Sequence, residues 1–208
     1  MKLVNMYNKI QQQVVSHVRE RVRILFKNYP VPAHGFDHVS RVRNWAVKIA
    51  KAESVNVFLC ELAAWFHDIG RVEEKKRQKP HHEVSYEMCR EWFKTDRVFD
   101  LMTAEEKLII LYAVRYHWND MANQYDVAWI LRDADKLDGF GIVGVRRAQE
   151  TCHGDFSILS RELRFCANNL LYLRTKIAKK MMEERDLFEP IRKLNEKVLL
   201  EHIFDVKL

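Results

Sequence analysis

Apolar residues recur at intervals of three and four positions along most of this chain, the spacing of helices that bury one face. From about residue 3 to residue 27 the pattern predicts a first helix with the stripe Ile10, Val14, Val18, Val22 and Leu25. The run Tyr-Pro-Val-Pro at 29–32 ends it, because proline removes a backbone donor and clashes with the preceding turn. The same spacing predicts a second helix from about Phe36 and further helices at about 56–68, 82–95, 104–117 and 126–137.

Local signals refine the boundaries of these segments. Thr103 and Glu106 have the spacing of a capping box, in which each side chain bonds the other's backbone N–H, and they predict the start of the 104–117 helix. The charged run 71–80 has no apolar period and predicts a solvated loop, which could also form a mobile lip over a site. Three glycines predict a loosened connection around Phe140: Gly139, Gly141 and Gly144.

The last part of the chain has the clearest apolar stripe. Between 159 and 177 the spacing alternates between four and three, which predicts one packed helix, and Pro190 separates it from a final helix that ends near Phe204. The stripe could pack within the chain or across a homodimer. Its members are Leu159, Leu163, Cys166, Leu170, Leu173 and Ile177.

These elements predict an all-α fold. Only six glycines and four prolines occur in 208 residues, which favours helices over a turn-rich sheet protein. The length suits one sizeable core. We expect a single domain over 1–208, with a helical core at about 30–150 and C-terminal helices at 155–208 that brace it.

Charge and cysteine content narrow the classes of partner. The net charge of +6 suits a small anionic substrate, whereas it is too modest to indicate a nucleic-acid groove, and we expect no nucleic-acid partner. The four cysteines form no C-x-x-C pair, and no apolar run approaches the roughly 20 residues of a membrane span. No signal peptide is apparent either. We therefore expect a cytoplasmic protein without a membrane partner.

The chemistry of the chain centres on His67 and Asp68, which end the apolar run Ala-Ala-Trp-Phe-His-Asp-Ile-Gly at 63–70. Burying an imidazole and a carboxylate is costly unless something pairs with them, and a metal cation is an economical partner. A lone His-Asp pair arises by chance in many proteins. Here further histidines and an aspartate occur elsewhere in the chain, and a set of imidazole and carboxylate ligands suits borderline divalent metals. The accompanying candidates are His38, His81, His82, His117 and Asp135.

Three motifs carry a resemblance to a known family. His-Gly-Phe-Asp-His-Val-Ser-Arg-Val (34–42), Phe-His-Asp-Ile-Gly (66–70) and Asp-Ala-Asp-Lys-Leu-Asp (133–138) resemble those of the HD-domain metal-dependent phosphohydrolases. The resemblance covers about 30–150 and implies an all-helical bundle around one or more divalent metals. It implies that the ligands of the first metal are His38, His67, Asp68 and Asp135.

Relatives with two metals have extra histidines, and His81 and His117 resemble these. His82 is the alternative candidate to His81. His34 is expected in a turn, close enough to His38 to support it without ligating the metal. Because both extra histidines are present, we expect a site with two metal ions, bridged by Asp68, rather than a site with one ion. Iron or manganese is expected first, while zinc, nickel, cobalt or magnesium stay open.

The resemblance also implies how phosphate is bound. Arg71 follows the His-Asp-Ile-Gly motif where many relatives have lysine, and a guanidinium binds phosphate in a bidentate manner. Lys136 is a second candidate, although either cation could be an ordinary surface charge. Arg41 could orient a ligand carboxylate or contact substrate. Asp68, Arg71 and Lys136 are therefore the candidate catalytic residues.

The expected function is hydrolysis of a small phosphorylated substrate, a nucleotide or a dinucleoside polyphosphate. A metal-bound water becomes a nucleophile near neutral pH, and two metals about 3.5–4 Å apart can clamp a phosphate oxygen. The chain lacks the Gly-Tyr-Pro motif of the cyclic-dinucleotide phosphodiesterase branch, and it has no carboxylate at position 71, where some nucleotide-monophosphatase relatives have one. A di-iron oxygenase and a non-catalytic metal- or nucleotide-binding module are the alternatives.

Overall fold

A computed structural model describes residues 7–153 and 155–203 of the chain. Over these residues it contains helices and no strand, which confirms the all-α prediction. Two 3₁₀ turns cover Ile69–Val72 and Arg97–Leu101. The α-helices are α1 Lys9–Asn28, α2 Phe36–Ala52, α3 Val57–Phe66, α4 Glu74–Arg77, α5 His81–Thr95, α6 Ala104–Arg115, α7 Asp126–Asp138, α8 Gly141–Cys152, α9 Phe156–Leu171, α10 Lys176–Glu184 and α11 Glu189–Ile203.

The centre of the fold is α3, which packs against α1, α2, α6 and α7. Every residue from Phe58 to Phe66 is buried, because this segment is almost entirely apolar. A helix that is apolar all round is stable only inside a core. The chain therefore leaves α3 at a buried point, and the two residues that follow it, His67 and Asp68, are delivered to the interior.

Most predicted helix starts are found in the structure. The second helix begins at Phe36, and Thr103 caps α6 with the reciprocal bonds to Glu106 that its spacing predicted. The first helix begins at Lys9, later than the predicted residue 3, because Asn8 accepts a hydrogen bond from the backbone N–H of Gln11 and caps it there. Residues 3–6 of that prediction lie outside the described residues.

The charged run 71–80 differs from the predicted loop, since it contains the one-turn helix α4. Arg77 donates to Glu73 at 2.6 Å, which supports the turn from the side that faces water. Gln78 then adopts φ +52°, a left-handed conformation that ends the helix. The periodicity missed α4 because a single turn has no second apolar position to show a period.

The glycine segment was also wrongly predicted, because α8 begins at Gly141. A Cβ at Gly144 would overlap the backbone of Gly139. This glycine therefore permits the close approach of α8 to the end of α7, and it does not loosen the chain. Gly141 itself has φ +68°, which glycine adopts at little cost.

The stripe over 159–177 belongs to two helices instead of the single predicted one. Its first part lies on α9, and the chain turns before α10 begins at Lys176. Asp133 on α7 causes the break, because its carboxylate accepts hydrogen bonds from the backbone N–H of Arg174 and of Thr175. Pro190 lies in the first turn of α11, where its missing N–H has no helical partner to lose.

The cysteines and the apolar content of the helices are the last features of the fold. All four cysteines are buried and free. Among the described residues, no helix is both long enough and apolar enough to cross a membrane.

Candidate metal centre

The end of α3 positions the His67–Asp68 pair. The Nδ1 of His67 donates to the carbonyl oxygen of Ala64, one turn back, at 2.7 Å. This bond fixes the ring and leaves the Nε2 lone pair free to bind a cation. Asp68 follows as the last residue before the 3₁₀ turn Ile69–Val72, and its side chain is only 2 % exposed.

A first cluster of donors forms where α2, α3 and α7 meet. The Nε2 of His38 lies 3.3 Å from the Nε2 of His67 and 3.3 Å from the Oδ1 of Asp135. The Oδ2 of Asp68 lies 3.5 Å from His38 and 3.8 Å from His67. The structure therefore brings together the four residues that the resemblance implied for the first metal.

A second cluster lies on the other side of the same carboxylate. The Oδ1 of Asp68 is 3.5 Å from the Nε2 of His81 and 3.9 Å from that of His117. The two imidazole nitrogens are 3.2 Å apart. Because Asp68 turns one oxygen to each cluster, it has the position that a bridging ligand needs.

The two adjacent histidines at the start of α5 have different surroundings. His81 belongs to a group with Asp68 and His117 whose donor atoms lie within 4.8 Å of one another. His82 instead lies with its ring centroid 5.1 Å from that of Trp118, which is exposed. The geometry favours His81 as the donor in the second cluster.

His34 is closer to the cluster than its turn position suggested. Its Nδ1 lies 3.0 Å from the Oδ2 of Asp68, and it forms a third group of donors with His38 and Asp68. The Nη2 of Arg147 lies 3.3 Å from the same Nδ1. His34 can thus either hold Asp68 in place or supply a further nitrogen.

The donor set fits divalent metals. The Oδ1 of Asp68 is buried and has no hydrogen-bond partner among the described residues, a costly state unless a cation fills it. The Nδ1 of His117 donates to the carbonyl oxygen of Val114 at 2.7 Å, so its Nε2, like that of His67, is available to a metal. Nitrogen and carboxylate oxygen together suit borderline metals.

Protonation is consistent with such a site. Burial lowers the pKa of His67 and of His117, and it lowers the pKa of His81 to about 3, so these three imidazoles are neutral ligands at neutral pH. Burial opposes ionisation of Asp68, but the nearby Arg71 guanidinium holds the pKa of this carboxyl well below its usual range. These three histidines therefore bring no charge that would repel a cation, and Asp68 is an ionised ligand.

His38 is the exception among the histidines. Burial opposes its protonation, but hydrogen bonds to Asp135, Asp138 and Asp68 raise its pKa to about 9. The three carboxylates thus strongly stabilise positive charge at this point. A metal cation would supply that charge in place of the proton.

A cavity of about 510 Å³ opens beside the second cluster, within the size range of small-molecule sites. His81, His117 and Asp135 line it, and so do Arg71 and Lys136, the two predicted phosphate ligands. The Nε of Arg71 donates to the Oδ2 of Asp68 at 2.6 Å. This bond holds the guanidinium between the donor cluster and the cavity.

Lys136 and Arg41 have partners of their own. The Nζ of Lys136 pairs with Asp120, which also lines the cavity, so a phosphate would have to compete for it. Arg41 does not line this cavity. It donates to the Oδ1 of Asp138 at 2.7 Å and borders a separate cavity of about 340 Å³. The predicted roles of both residues in substrate binding stay predictions.

Two supporting residues were not assigned from the sequence. Asp138 binds the Nδ1 of His38 at 2.8 Å, and Arg147 binds Asp138 at 2.9 Å. Asp138 lies three residues after Asp135 on α7, so helical spacing could have revealed that both face α2. Nothing in the sequence around Arg147 pointed to this contact.

The comparisons with known proteins agree with this geometry. The family model described as HD domain matches residues 35–139, just over half of the 208 residues. No curated protein matches the chain.

Several solved structures have a similar fold. A predicted HD superfamily hydrolase from an uncultured Thermotogales bacterium is 25 % identical with a TM-score of 0.66, covering 89 % of this chain and 91 % of its own. Bacillus subtilis YpgQ in complex with ADP is 21 % identical with a TM-score of 0.68, covering 90 % and 96 %. An HD-superfamily hydrolase from Bacillus thuringiensis is 22 % identical with a TM-score of 0.64, covering 92 % and 97 %.

Proposed function

Because this chain belongs to the HD domain family, we propose that it is a metal-dependent phosphohydrolase that acts on a nucleotide or a dinucleoside polyphosphate. The observation that carries the proposal is the position of Asp68 between two groups of donors. Its Oδ2 faces His38 at 3.5 Å, and its Oδ1 faces His81 at 3.5 Å and has no hydrogen-bond donor among the residues that the structure describes.

Two metal ions would be held by the residues of the two clusters. His38, His67, Asp68 and Asp135 would hold the first, and Asp68, His81 and His117 the second. When bound, such ions lower the pKa of a coordinated water toward neutrality and neutralise charge on a phosphate. The nitrogen and oxygen donors favour iron or manganese, and zinc, nickel, cobalt or magnesium are the other candidates.

The remaining steps belong to side chains of the chain itself. Arg71 is held by its Nε at Asp68, and its Nη2 lies 3.4 Å from the Nε2 of His81. With that imidazole nitrogen bound to a metal, the Nη2 would instead donate to a phosphate oxygen in the cavity that Arg71 lines. Lys136 would release Asp120 and bind a phosphate oxygen instead, at the end of the phosphate chain that Arg71 does not bind. Both cations favour the transition state, in which negative charge on the phosphate oxygens is redistributed.

Three observations support a nucleotide as substrate. The cavity volume of about 510 Å³ leaves room for an organic group beyond the phosphates, and the chain has a net charge of +6. The similar structure from Bacillus subtilis was solved with ADP.

The four buried, free cysteines suit a reducing compartment, and we propose a cytoplasmic location.

The test is metal analysis of protein purified without chelators, followed by a phosphate-release screen over nucleotides and dinucleoside polyphosphates. We expect close to two metal ions per chain and release of phosphate or pyrophosphate that Asp68→Ala abolishes. Metal-loaded protein without activity on any member of the panel would contradict the proposal. Oxygen uptake by iron-loaded protein on an added substrate would favour an oxygenase instead.

A further inference from the structure

One face of α9 forms part of the wall of the large cavity. Glu162, Phe165, Cys166 and Asn169 line it, and their spacing of three, one and three residues places them on a single face of the helix. None of these four residues belongs to the donor clusters or to the phosphate-binding pair. The proposed phosphate chemistry therefore leaves this face without a role.

Two of these side chains have no partner among the described residues. Phe165 is 61 % exposed, although it borders a cavity, and it forms no ring contact with any other aromatic residue that the structure describes. Asn169 lines the same cavity, and its amide makes no hydrogen bond in the part of the chain that the structure describes. An aromatic face offers a stacking surface, and an amide offers both a donor and an acceptor.

Charge is divided between the α9 face and the phosphate side of the cavity. The cavity is lined by four cations from other elements, Arg71, Arg132, Lys136 and Arg147. The lining residues of α9 include a carboxylate, Glu162, and no cation; Glu162 lies 3.9 Å from Arg161, which does not line the cavity. A carboxylate repels phosphate and accepts hydrogen bonds from hydroxyl or amino groups. The α9 face is therefore suited to an uncharged part of a ligand that carries such donors.

We infer that the α9 face binds the nucleoside part of the substrate, with the base stacked on Phe165 and its edge bonded by the amide of Asn169. Glu162 then accepts hydrogen bonds from sugar hydroxyls or a base amine, while Arg71 and Lys136 hold the phosphates. This inference rests on the proposed function for its phosphate end. The nucleoside end is carried by the chemistry of the α9 face alone.

The test compares ligands with and without a nucleoside. Binding of ADP and of inorganic tripolyphosphate is measured by calorimetry on the metal-loaded wild type, Phe165→Ala and Asn169→Ala. Base stacking on an aromatic side chain is lost in Phe165→Ala, so we expect about a tenfold rise in the Kd for ADP and an unchanged Kd for tripolyphosphate. Leu171→Ala is the matched control, because Leu171 is 79 % exposed on the same helix and does not line the cavity.

Each possible result of these binding measurements either supports or overturns the inference. An equal loss for both ligands would show that Phe165 maintains the fold, and no loss for either would remove it from the site; both overturn the inference. Failure of the wild type to bind ADP at millimolar concentration overturns it as well. If ADP binds with the expected pattern but no nucleotide is hydrolysed, the nucleoside site stands and only the proposed function fails.

Discussion

The carboxylate of Asp138 accepts a hydrogen bond from the Nδ1 of His38 at 2.8 Å, deep between α2 and α7. The same carboxylate binds Arg41 at 2.7 Å and Arg147 at 2.9 Å. An imidazole that ligates a metal through one nitrogen is oriented by whatever binds the other, and a carboxylate in that place also raises its basicity. Asp138 therefore controls how His38 presents its Nε2.

The first prediction follows from this contact. Asp138→Asn keeps the shape of the side chain but removes the charge that faces His38 and two arginines, so we expect metal affinity to fall by about 10- to 100-fold. Metal titration by calorimetry measures the change. Asp100→Asn, at an exposed position, is the control. Equal affinities in the two variants would mean that the charge of Asp138 does not support His38.

The four donors of the first cluster could be predicted because the sequence motifs place them in a fixed order, and α3 buries His67 and Asp68 through its apolar composition alone. Asp138 could have been found in the same way, one turn after Asp135. The contact of Arg147 with Asp138 could not, because it depends on how α8 approaches α7. That approach depends on a glycine, Gly144, which the sequence suggested was loosening the chain.

The choice between His81 and His82 shows the same limit. Both histidines stand at the start of α5, and their spacing relative to the motifs differs by a single residue. Only the direction of each side chain separates them, and that direction follows from the packing of α5 against the 3₁₀ turn Ile69–Val72. A periodicity argument has no access to that packing.

The second prediction separates these two histidines by metal content. We expect His81→Ala to bind one metal ion per chain and His82→Ala to keep two, because only His81 faces Asp68, at 3.5 Å. Metal analysis after desalting gives the ratio for each variant. Two ions in His81→Ala, or one ion in His82→Ala, would contradict the assignment of His81 as the ligand in the second cluster.

The third prediction concerns the packing behind the site. Gly70 lies against the first turn of α5, where a Cβ would overlap the backbone nitrogen of Ser85 and lie 2.5 Å from the carbonyl oxygen of His81. Gly70→Ala must displace that turn, so we expect a loss of roughly 2–3 kcal/mol of stability, which lowers Tm by about 5–10 °C. Thermal denaturation measures it. Gly35→Ala, whose nearest contact is the Val31 carbonyl oxygen at 3.1 Å, is expected to lose less.

The last prediction tests the support of the second cluster. Arg132 is 3 % exposed, and its guanidinium donates to the carbonyl oxygens of Asn119 and Ala122, both at 2.7 Å. These bonds fix the segment that begins with His117. Arg132→Met keeps the apolar stem but leaves buried carbonyls without a donor, so we expect it to lose about 3 kcal/mol of stability.

We also expect Arg132→Met to weaken binding of the second metal more than the first, because His117 belongs only to the second cluster. Urea unfolding measures the stability, and stepwise metal titration at a temperature where the variant is folded separates the two sites. Arg161→Met, with a side chain 73 % exposed, is the control for the loss of an arginine. Equal weakening of both metal sites would mean that Arg132 supports the fold as a whole and not His117 in particular.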